Sequence, residues 1–184
     1  MTGFTLWFTG WSGSGKTSLS KMLEEELINR NIKHVQRLDG DIVREDLTSD
    51  LGFTKEDRDE NIQRVTFVAE LLSKNGVATL VSFISPYRNA REKARKRCAN
   101  FIEIYVRCDK EILIKRDVKG LYAKALSGEI ENFTGISDPY EEPISPEITI
   151  DSGIQTLEDS VSEILSYLES RELVPQSSQK LSRL

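Results

Sequence analysis

The stretch that decides the fold is Phe4–Thr17, which reads FTLWFTGWSGSGKT. Its first residues, Phe4–Phe8, form a short apolar run that predicts a buried strand. Gly10–Thr17 fits the pattern G-x-x-x-x-G-K-[ST] in full, and apolar residues then recur at helical spacing over Leu19–Leu27. A strand, a glycine-rich loop and a helix in this order are the context in which that pattern cradles phosphates. The stretch therefore predicts an ATP-binding loop in an α/β fold.

The residue types of this loop suit phosphate chemistry. Glycines let backbone N–H groups turn inward around phosphate oxygens, and the helix N-terminus adds a favourable dipole. We expect Lys16 to reach the β- and γ-phosphates and Thr17 to offer its hydroxyl to Mg²⁺. The alternative is a glycine-rich turn without a ligand. The predicted ATP-binding residues of the loop are Gly10, Trp11, Ser12, Gly13, Ser14, Gly15, Lys16, Thr17 and Ser18.

Apolar runs and helical patterns alternate along the rest of the chain. Further strands are predicted over 34–38, 77–84, 101–106 and 147–150. The longest helical pattern between them places on one apolar face Ile62, Val65, Val68, Ala69, Leu71 and Leu72. Strands that alternate with helices imply a parallel sheet with right-handed crossovers. We therefore expect a three-layer P-loop kinase fold, with a mostly parallel five-stranded sheet, helices on both faces and a lid.

The chain length and the spacing of turn residues suggest one domain. A chain of 184 residues suffices for one well-filled core. Residues 1–171 are predicted to form a single kinase domain. Within it, the polar segment 117–146, which is rich in Gly and Pro, is predicted to be a lid, because loops this long in a compact domain are usually functional. Residues 172–184 are predicted to be a polar C-terminal tail.

The composition excludes several classes of protein. No apolar run is long enough to span a membrane, and the formal net charge of −5 argues against a nucleic-acid surface. Cys98 and Cys108 form no CxxC pair, and His34 is the single histidine, so a zinc or disulfide framework is not expected. With no secretion signal recognised, the predicted compartment is the cytoplasm.

The predicted topology brings several loops to one edge of the sheet. Ligands bind at the carboxyl ends of parallel strands, and the loops there contain Gly10, Asp39, Ser85 and Arg107. A carboxylate of Asp39-Gly40-Asp41 at this edge either accepts a proton from a hydroxyl nucleophile, holds Mg²⁺, or caps the following helix. No Asn-Lys-x-Asp stretch for reading guanine follows a later strand. A small-molecule kinase is therefore favoured over a GTP-dependent switch.

A series of further segments carries a family resemblance. In order, they are LDGD at 38–41, LGF at 51–53, DRDENI at 57–62, SFISPYR at 82–88, RDVKGLYAKA at 116–125, GEIENFTGI at 128–136 and DPYE at 138–141. Over residues 3–168 the chain resembles the adenylyl-sulfate kinase family. The resemblance implies transfer of the γ-phosphate of ATP to the 3′-hydroxyl of adenosine 5′-phosphosulfate, with Mg²⁺ as cofactor. It also implies a homodimer.

The resemblance assigns roles to individual residues. Lys16, Asp41 and Ser85 are the implied catalytic residues, and Asp41 joins Thr17 on the metal side. Independently of the resemblance, we expect the lid cations Arg116, Lys119 and Lys124 to cover ATP and neutralise developing charge; the alternative is an exposed charged loop. The implied acceptor-binding residues are Asp39, Arg44, Phe53, Arg58, Asn61, Ile84, Ser85, Lys119, Leu121 and Phe133.

Three alternatives stay open at this stage. The family's serine at the position of Ser85 is commonly labelled a phosphoserine intermediate, but direct transfer needs no covalent step, and we favour a substrate contact. Another small-molecule or nucleotide kinase would use the same fold. A silent nucleotide-binding partner protein is a third reading, although the intact Lys16, Thr17 and Asp41 argue against it.

Overall fold

The computed structural model describes residues 3–117 and 119–176. Its strands are β1 (Phe4–Thr9), β2 (Val35–Asp39), β3 (Ala78–Ser82), β4 (Phe101–Arg107) and β5 (Ile148–Asp151). Its helices are α1 (Lys16–Asn29), α2 (Gly40–Val43), α3 (Lys55–Lys74), α4 (Arg88–Arg97), α5 (Lys110–Arg116), α6 (Leu121–Leu126) and α7 (Leu157–Ser170). No helix in these ranges is both long and apolar enough to cross a membrane.

The strands form one parallel sheet in the order β2-β3-β1-β4-β5. β1 lies in the centre, where Thr5 pairs with Thr79 of β3 and with Phe101 of β4. Because the sheet is buried on both faces, every residue of β1 and of β3 is buried. The predicted five-stranded α/β sheet is confirmed.

The alternation of side chains along β1 divides the core into two halves. Phe4, Leu6 and Phe8 point to one face, where α1 and α7 cover them with buried leucines and isoleucines. Trp7 points to the other face, into a cluster with residues of α3 and α4. The sheet is thus the middle of three layers, as predicted.

One local detail confirms an alternative left open above, and a second differs from the prediction. The short α2 has no apolar pattern to announce it and forms because the side chain of Asp39 caps it by accepting the N–H of Asp41. On α3, Leu71 is 50% exposed, although the apolar pattern assigned it to the packed face. That face instead contains Thr66 and Ser73, whose hydroxyls donate to carbonyls one turn earlier.

The segment predicted to be a lid has a small core of its own. Apart from Val118, which lies outside the described residues, it contains α6 and packs Tyr122, Ala125 and Phe133 against Leu113. The predicted tail begins later than residue 172, because Leu173 and Val174 still pack on the main core. Residues 177–184 of that tail lie outside the described residues.

Candidate active site

The carboxyl ends of β1, β2 and β3 open onto one cavity of about 600 Å³. Its volume falls in the range of about 300–1,000 Å³ that is typical of small-molecule sites. The predicted site residues that line it are Ser12, Gly13, Gly15, Lys16, Thr17, Ser18, Asp39, Asp41, Arg44, Phe53, Arg58, Asn61, Ile84, Ser85, Lys119, Leu121 and Phe133. One cavity therefore joins the glycine-rich loop to the segments from which we expected the acceptor site.

Backbone conformation shapes the glycine-rich loop. Gly13 and Gly15 have φ values of 74° and 98°, which residues with a Cβ rarely adopt. Gly15 is also the N-cap of α1, and it has no side chain with which to cap the helix. The first N–H groups of α1 therefore face the cavity edge as donors for an anion.

Lys16 is buried at the base of the loop. Its Nζ donates to the carbonyls of Gly10 and Trp11 at 2.9 and 2.7 Å. Burial, reinforced by the charge of Lys119, lowers the pKa of Lys16 to about 7, against the opposing effect of Asp39 and Asp41. The ammonium group of Lys16 is thus satisfied by carbonyls of the loop itself.

Two aspartates flank the loop in different environments. Asp39 is buried at the end of β2 and accepts from the hydroxyl of Thr17 at 2.8 Å. The side chain of Asp41 is 71% exposed and forms an ion pair with Lys119 at 2.5 Å. Asp39 is therefore held in the core at the end of β2, whereas Asp41 lines the cavity with an exposed carboxylate.

Two arginines and a phenylalanine form a platform on the opposite wall. The guanidinium carbons of Arg44 and Arg58 lie 4.6 and 5.7 Å from the ring centroid of Phe53, which is 55% exposed. The side chain of Arg44 donates to the carbonyls of Leu51 and Gly52. Burial lowers the pKa of both arginines, and for Arg44 the charge of Arg58 adds to it. Asp138 forms an ion pair with Arg58 at 3.7 Å, whereas Arg44 forms none with a described residue, so the platform keeps a positive charge that favours an anionic ligand.

The second predicted aromatic ring has a different setting. Phe133 is buried and meets the ring of Tyr122 edge-on, with the centroids 5.1 Å apart. The carbonyl of the adjacent Asn132 accepts from Arg58, which links this turn to the platform. Both Phe53 and Phe133 line the cavity, but Phe133 is held much more firmly.

Three buried polar atoms on the cavity wall have no hydrogen-bond partner. They are Oδ1 of Asn61, Oγ of Ser82 and Oγ1 of Thr134. Buried polar groups in folded proteins are nearly always paired, and a ligand with polar groups in this cavity would satisfy these three atoms. The prediction included Asn61 but missed Ser82 and Thr134. A signal for both was present, because each lies in a motif segment quoted above.

Ser85 lies in a strained turn directly after β3. Its φ is 40°, and its hydroxyl accepts the indole N–H of Trp7 at 3.0 Å and approaches the carbonyl of Phe83 at 3.4 Å. Among the described residues, no histidine or carboxylate forms a hydrogen bond with this hydroxyl. The arrangement orients the serine but gives it no activating base.

Four predicted ATP-site residues do not line the main cavity. Gly10 and Ser14 lie on the side of the loop that faces away from the cavity. The ring of Trp11 also faces away from the cavity and lies beside Gly135, so that a Cβ on Gly135 would come within 3.0 Å of this ring. Arg116 points its guanidinium at the carbonyl of Ser152 and lines a small adjoining cleft with Ser12, Gly13, Lys119 and Tyr122.

Comparison with known proteins identifies the family. Residues 2–151 match the family model described as adenylylsulphate kinase. An adenylyl-sulfate kinase of Halothermothrix orenii is 57% identical over 169 residues, which cover 92% of this chain and 91% of that protein.

Two solved structures are similar as well. The Mycobacterium tuberculosis APS kinase CysC in complex with AMPPNP and APS superposes with a TM-score of 0.87 at 40% identity, covering 91% of this chain and 98% of that one. The hexameric APS kinase from Thiobacillus denitrificans has a TM-score of 0.72 at 33% identity, covering 94% of this chain and 30% of that one. The predicted resemblance is confirmed, and the chain belongs to the adenylylsulphate kinase family.

Proposed function

We propose that this chain is an adenylyl-sulfate kinase. It transfers the γ-phosphate of ATP to the 3′-hydroxyl of adenosine 5′-phosphosulfate and yields 3′-phosphoadenylyl sulfate and ADP. The observation that carries the proposal is the single cavity, in which the glycine-rich loop and the platform of Arg44, Phe53 and Arg58 share one space. The family assignment supports the same acceptor, since the Mycobacterium tuberculosis relative was solved with both APS and AMPPNP.

On the donor side, we assign ATP to residues 10–18. The N–H groups of the loop and of the first turn of α1 hold the phosphates, and Lys16 exchanges the carbonyls of Gly10 and Trp11 for β- and γ-phosphate oxygens. Arg116 lies close to the loop and is available to cover the nucleotide.

The oxygen donors near the loop fit Mg²⁺. This ion prefers hard oxygen ligands and usually binds through one or two carboxylates together with substrate phosphates. Thr17 and Asp41 would hold it, and the contact between Thr17 and Asp39 keeps the hydroxyl on the cavity side. When bound, the ion neutralises charge on the β- and γ-phosphates.

On the acceptor side, we assign the phosphosulfate and the adenine to different parts of the wall. Arg44 and Arg58 present guanidinium groups that pair with the anionic phosphosulfate. Phe53 and Phe133 supply ring faces and edges for the adenine, and the unpaired Oδ1 of Asn61 accepts a hydrogen bond from a ligand donor. Ile84, Lys119 and Leu121 complete the predicted acceptor site.

In the transfer step, Asp41 accepts the proton of the 3′-hydroxyl. The oxygen of that hydroxyl forms a bond to the γ-phosphorus, while the bond from this phosphorus to the β–γ bridging oxygen breaks and ADP leaves. Asp41 is suited to this role because its carboxylate is exposed and lines the cavity beside the glycine-rich loop. We assign Ser85 to substrate contact, since its hydroxyl is engaged by Trp7.

Larger-scale features are part of the same proposal. Residues 117–146 act as a lid that closes over the nucleotides, because they supply Lys119, Leu121 and Phe133 to the cavity. The homodimer is tested by light scattering of the purified chain, and the cytoplasmic location by fractionation of the source cells.

The decisive experiment offers ATP, Mg²⁺ and adenosine 5′-phosphosulfate to the purified chain and identifies the product by mass spectrometry. We expect 3′-phosphoadenylyl sulfate and an equal amount of ADP. A parallel reaction with adenosine 5′-phosphate tests whether the chain is a general nucleotide kinase. ADP formation with that acceptor, without turnover of the phosphosulfate, would contradict the proposal.

A further inference from the structure

Buried polar groups behind the cavity converge on the turn at Ile84 and Ser85. The hydroxyl of Thr9 donates to the carbonyl of Ile84 at 2.8 Å. The hydroxyl of Tyr140 lies 2.9 Å from that of Thr9 and donates to it, because Thr9 has already used its single proton. Burial raises the pKa of Tyr140, so its hydroxyl keeps the proton that it donates.

Arg91 holds the same turn from α4. Its guanidinium donates to the carbonyl of Ser85 and to the carbonyl of Glu141, both at 2.7 Å, and to the carboxylate of Glu103 at 2.6 Å. Arg91 is only 2% exposed, and Glu103 balances its charge inside the core. The planar fork of arginine fits two carbonyls and a carboxylate at once, which the ammonium group of lysine does not match.

The hydrogen bonds of Thr9 and Arg91 connect the turn to the DPYE motif, Asp138–Glu141. The proposed function gives this motif no role. The N–H of Glu141 donates to the carbonyl of Pro86 at 2.9 Å, and its carboxylate accepts the N–H of Arg88 at 2.8 Å. The ring of Tyr140 stacks on Tyr105 with the centroids 6.1 Å apart. The motif is thus tied to the turn on both sides of Ser85.

The turn needs such support because its backbone is strained. Ser85 has a φ of 40°, in the left-handed region that residues with a Cβ rarely adopt. A conformation of this kind persists only where the surroundings fix it, and it clusters at ligand sites. Ile84 and Ser85 line the cavity, whereas Arg91 and Tyr140 do not.

We propose that Arg91 and Tyr140 are positioning residues for the acceptor, which hold the Ile84–Ser85 turn in the conformation that binds adenosine 5′-phosphosulfate. This inference rests on the proposed function and deepens it. It gives the DPYE motif a role in acceptor affinity, although none of its four residues lines the cavity.

Two variants and one control test the inference by steady-state kinetics with each substrate varied in turn. Tyr140→Phe removes only the hydroxyl and keeps the ring, and Arg91→Lys removes the fork. The control Arg95→Lys alters an arginine that also pairs with Glu103, but whose other described contacts are with Glu92, Glu147 and the ring of Phe101.

We expect Tyr140→Phe to raise the KM for adenosine 5′-phosphosulfate about three- to tenfold, the effect of one lost hydrogen bond, and Arg91→Lys to raise it more than about tenfold. The KM for ATP should stay within about twofold, and Arg95→Lys should leave both constants unchanged even where it lowers the melting temperature. An unchanged acceptor KM in Tyr140→Phe, or an equal rise for both substrates, would overturn the inference.

A second measurement needs no turnover. Trp7 donates to Ser85, and the chain has two tryptophans, so a Trp11→Phe background leaves Trp7 as the only indole reporter. Tyr140→Phe in this background should shift the emission of Trp7, because the turn relaxes. If the wild-type chain yields no product but Tyr140→Phe still shifts the emission of Trp7, the proposed function is refuted and the support of the turn by Tyr140 stands. Unshifted emission would contradict the inference itself.

Discussion

The donor and acceptor halves of the cavity are built on different principles. The donor half, to which we assign ATP, is a run of nine consecutive residues, 10–18, that offers backbone N–H groups and glycines in left-handed conformations. The acceptor half is assembled from side chains of separate segments, among them Arg44, Phe53, Asn61 and Phe133. A backbone site tolerates few changes of local conformation, whereas a side-chain site divides its affinity among many residues. Substitutions in the two halves should therefore differ in size.

The cations of the two halves differ in whether they lose their charge near neutral pH. Lys16 has a pKa near 7 and loses its charge within the physiological range. The pKa values of Arg44 and Arg58 are also lowered, but arginine starts so high that both stay charged. The donor half thus depends on one cation that titrates, and the acceptor half on two that do not.

Lys16→Ala should have the largest effect of all the substitutions. A small effect would contradict the contrast between the donor and acceptor halves. It removes the cation that meets charge on the transferred phosphoryl group, and we expect kcat to fall by about 10²–10³-fold or more. Turnover is measured at saturating ATP and compared with Lys21→Ala, an exposed lysine on the same helix. Activity of Lys16→Ala within threefold of the wild type would remove the basis of the ATP assignment.

Asp41→Asn tests the point at which the two halves meet. The amide keeps the shape of the side chain but accepts no proton, so we expect kcat to fall by about 10²-fold, the lower end of what general acid–base catalysis contributes, with little change in melting temperature. The exposed Asp46→Asn on the same loop serves as the control. An unchanged kcat with weaker ATP binding would show that Asp41 acts on the donor side alone.

The pH dependence of ATP binding isolates the donor half. Lys16 is charged below its pKa of about 7, so ATP binds there without proton uptake. Above pH 7 the free chain must take up a proton before the ammonium group can meet the phosphates. The Kd for ATP should therefore rise between pH 7 and 9, by up to about tenfold per pH unit.

Calorimetry in buffers of different ionisation enthalpy measures this uptake directly. We expect up to about one proton per ATP bound at pH 8 and less at pH 6. Lys16→Met has no titrating group at this position and should lose the uptake. A Kd for ATP that stays flat from pH 7 to 9 would contradict the depressed pKa of Lys16.

Phe133→Ala tests the acceptor half, where one residue should matter less. Loss of one stacking ring should weaken binding of adenosine 5′-phosphosulfate by about 1–3 kcal/mol and leave ATP affinity nearly unchanged. The binding constants are measured by calorimetry, with Phe67→Ala on the exposed face of α3 as the control. Equal weakening of both ligands would assign Phe133 to a general closing contact.

The contrast between the two halves also explains which parts of the fold and of the site could be predicted from the sequence. The sheet and the donor loop were predictable, because apolar runs, glycines and Lys16 follow one another in the printed order. For Asp39-Gly40-Asp41 the sequence left a helix cap as one of several roles, and the structure shows that Asp39 caps the short α2. Ser82 and Thr134 lie in quoted motif segments, but their place on the cavity wall as unpaired hydroxyls is a property of the packed structure. The direction of the Trp11 ring depends likewise on Gly135, which is distant in sequence.

Ser85→Ala should have the smallest effect, and it separates two mechanisms. A phosphoserine route makes the hydroxyl indispensable and predicts ping-pong kinetics. A direct route makes it one hydrogen bond, worth about 0.5–1.5 kcal/mol, and the hydroxyl of Ser85 is already engaged by Trp7. Alanine has the same difficulty with a φ of 40° as serine, so the substitution changes only the hydroxyl.

We therefore expect Ser85→Ala to keep kinase activity, with the loss confined to affinity for adenosine 5′-phosphosulfate. Incubation of the wild-type chain with γ-labelled ATP, in the absence of acceptor, should leave no acid-stable phosphate on Ser85. Ser85→Gly separates the two contributions of this position, because it lacks the hydroxyl but adopts the left-handed conformation freely. A folded but inactive Ser85→Ala, together with a labelled serine that passes its phosphate to the acceptor, would establish the covalent route. In that outcome a side chain of the acceptor half, Ser85, would itself receive the γ-phosphate of ATP.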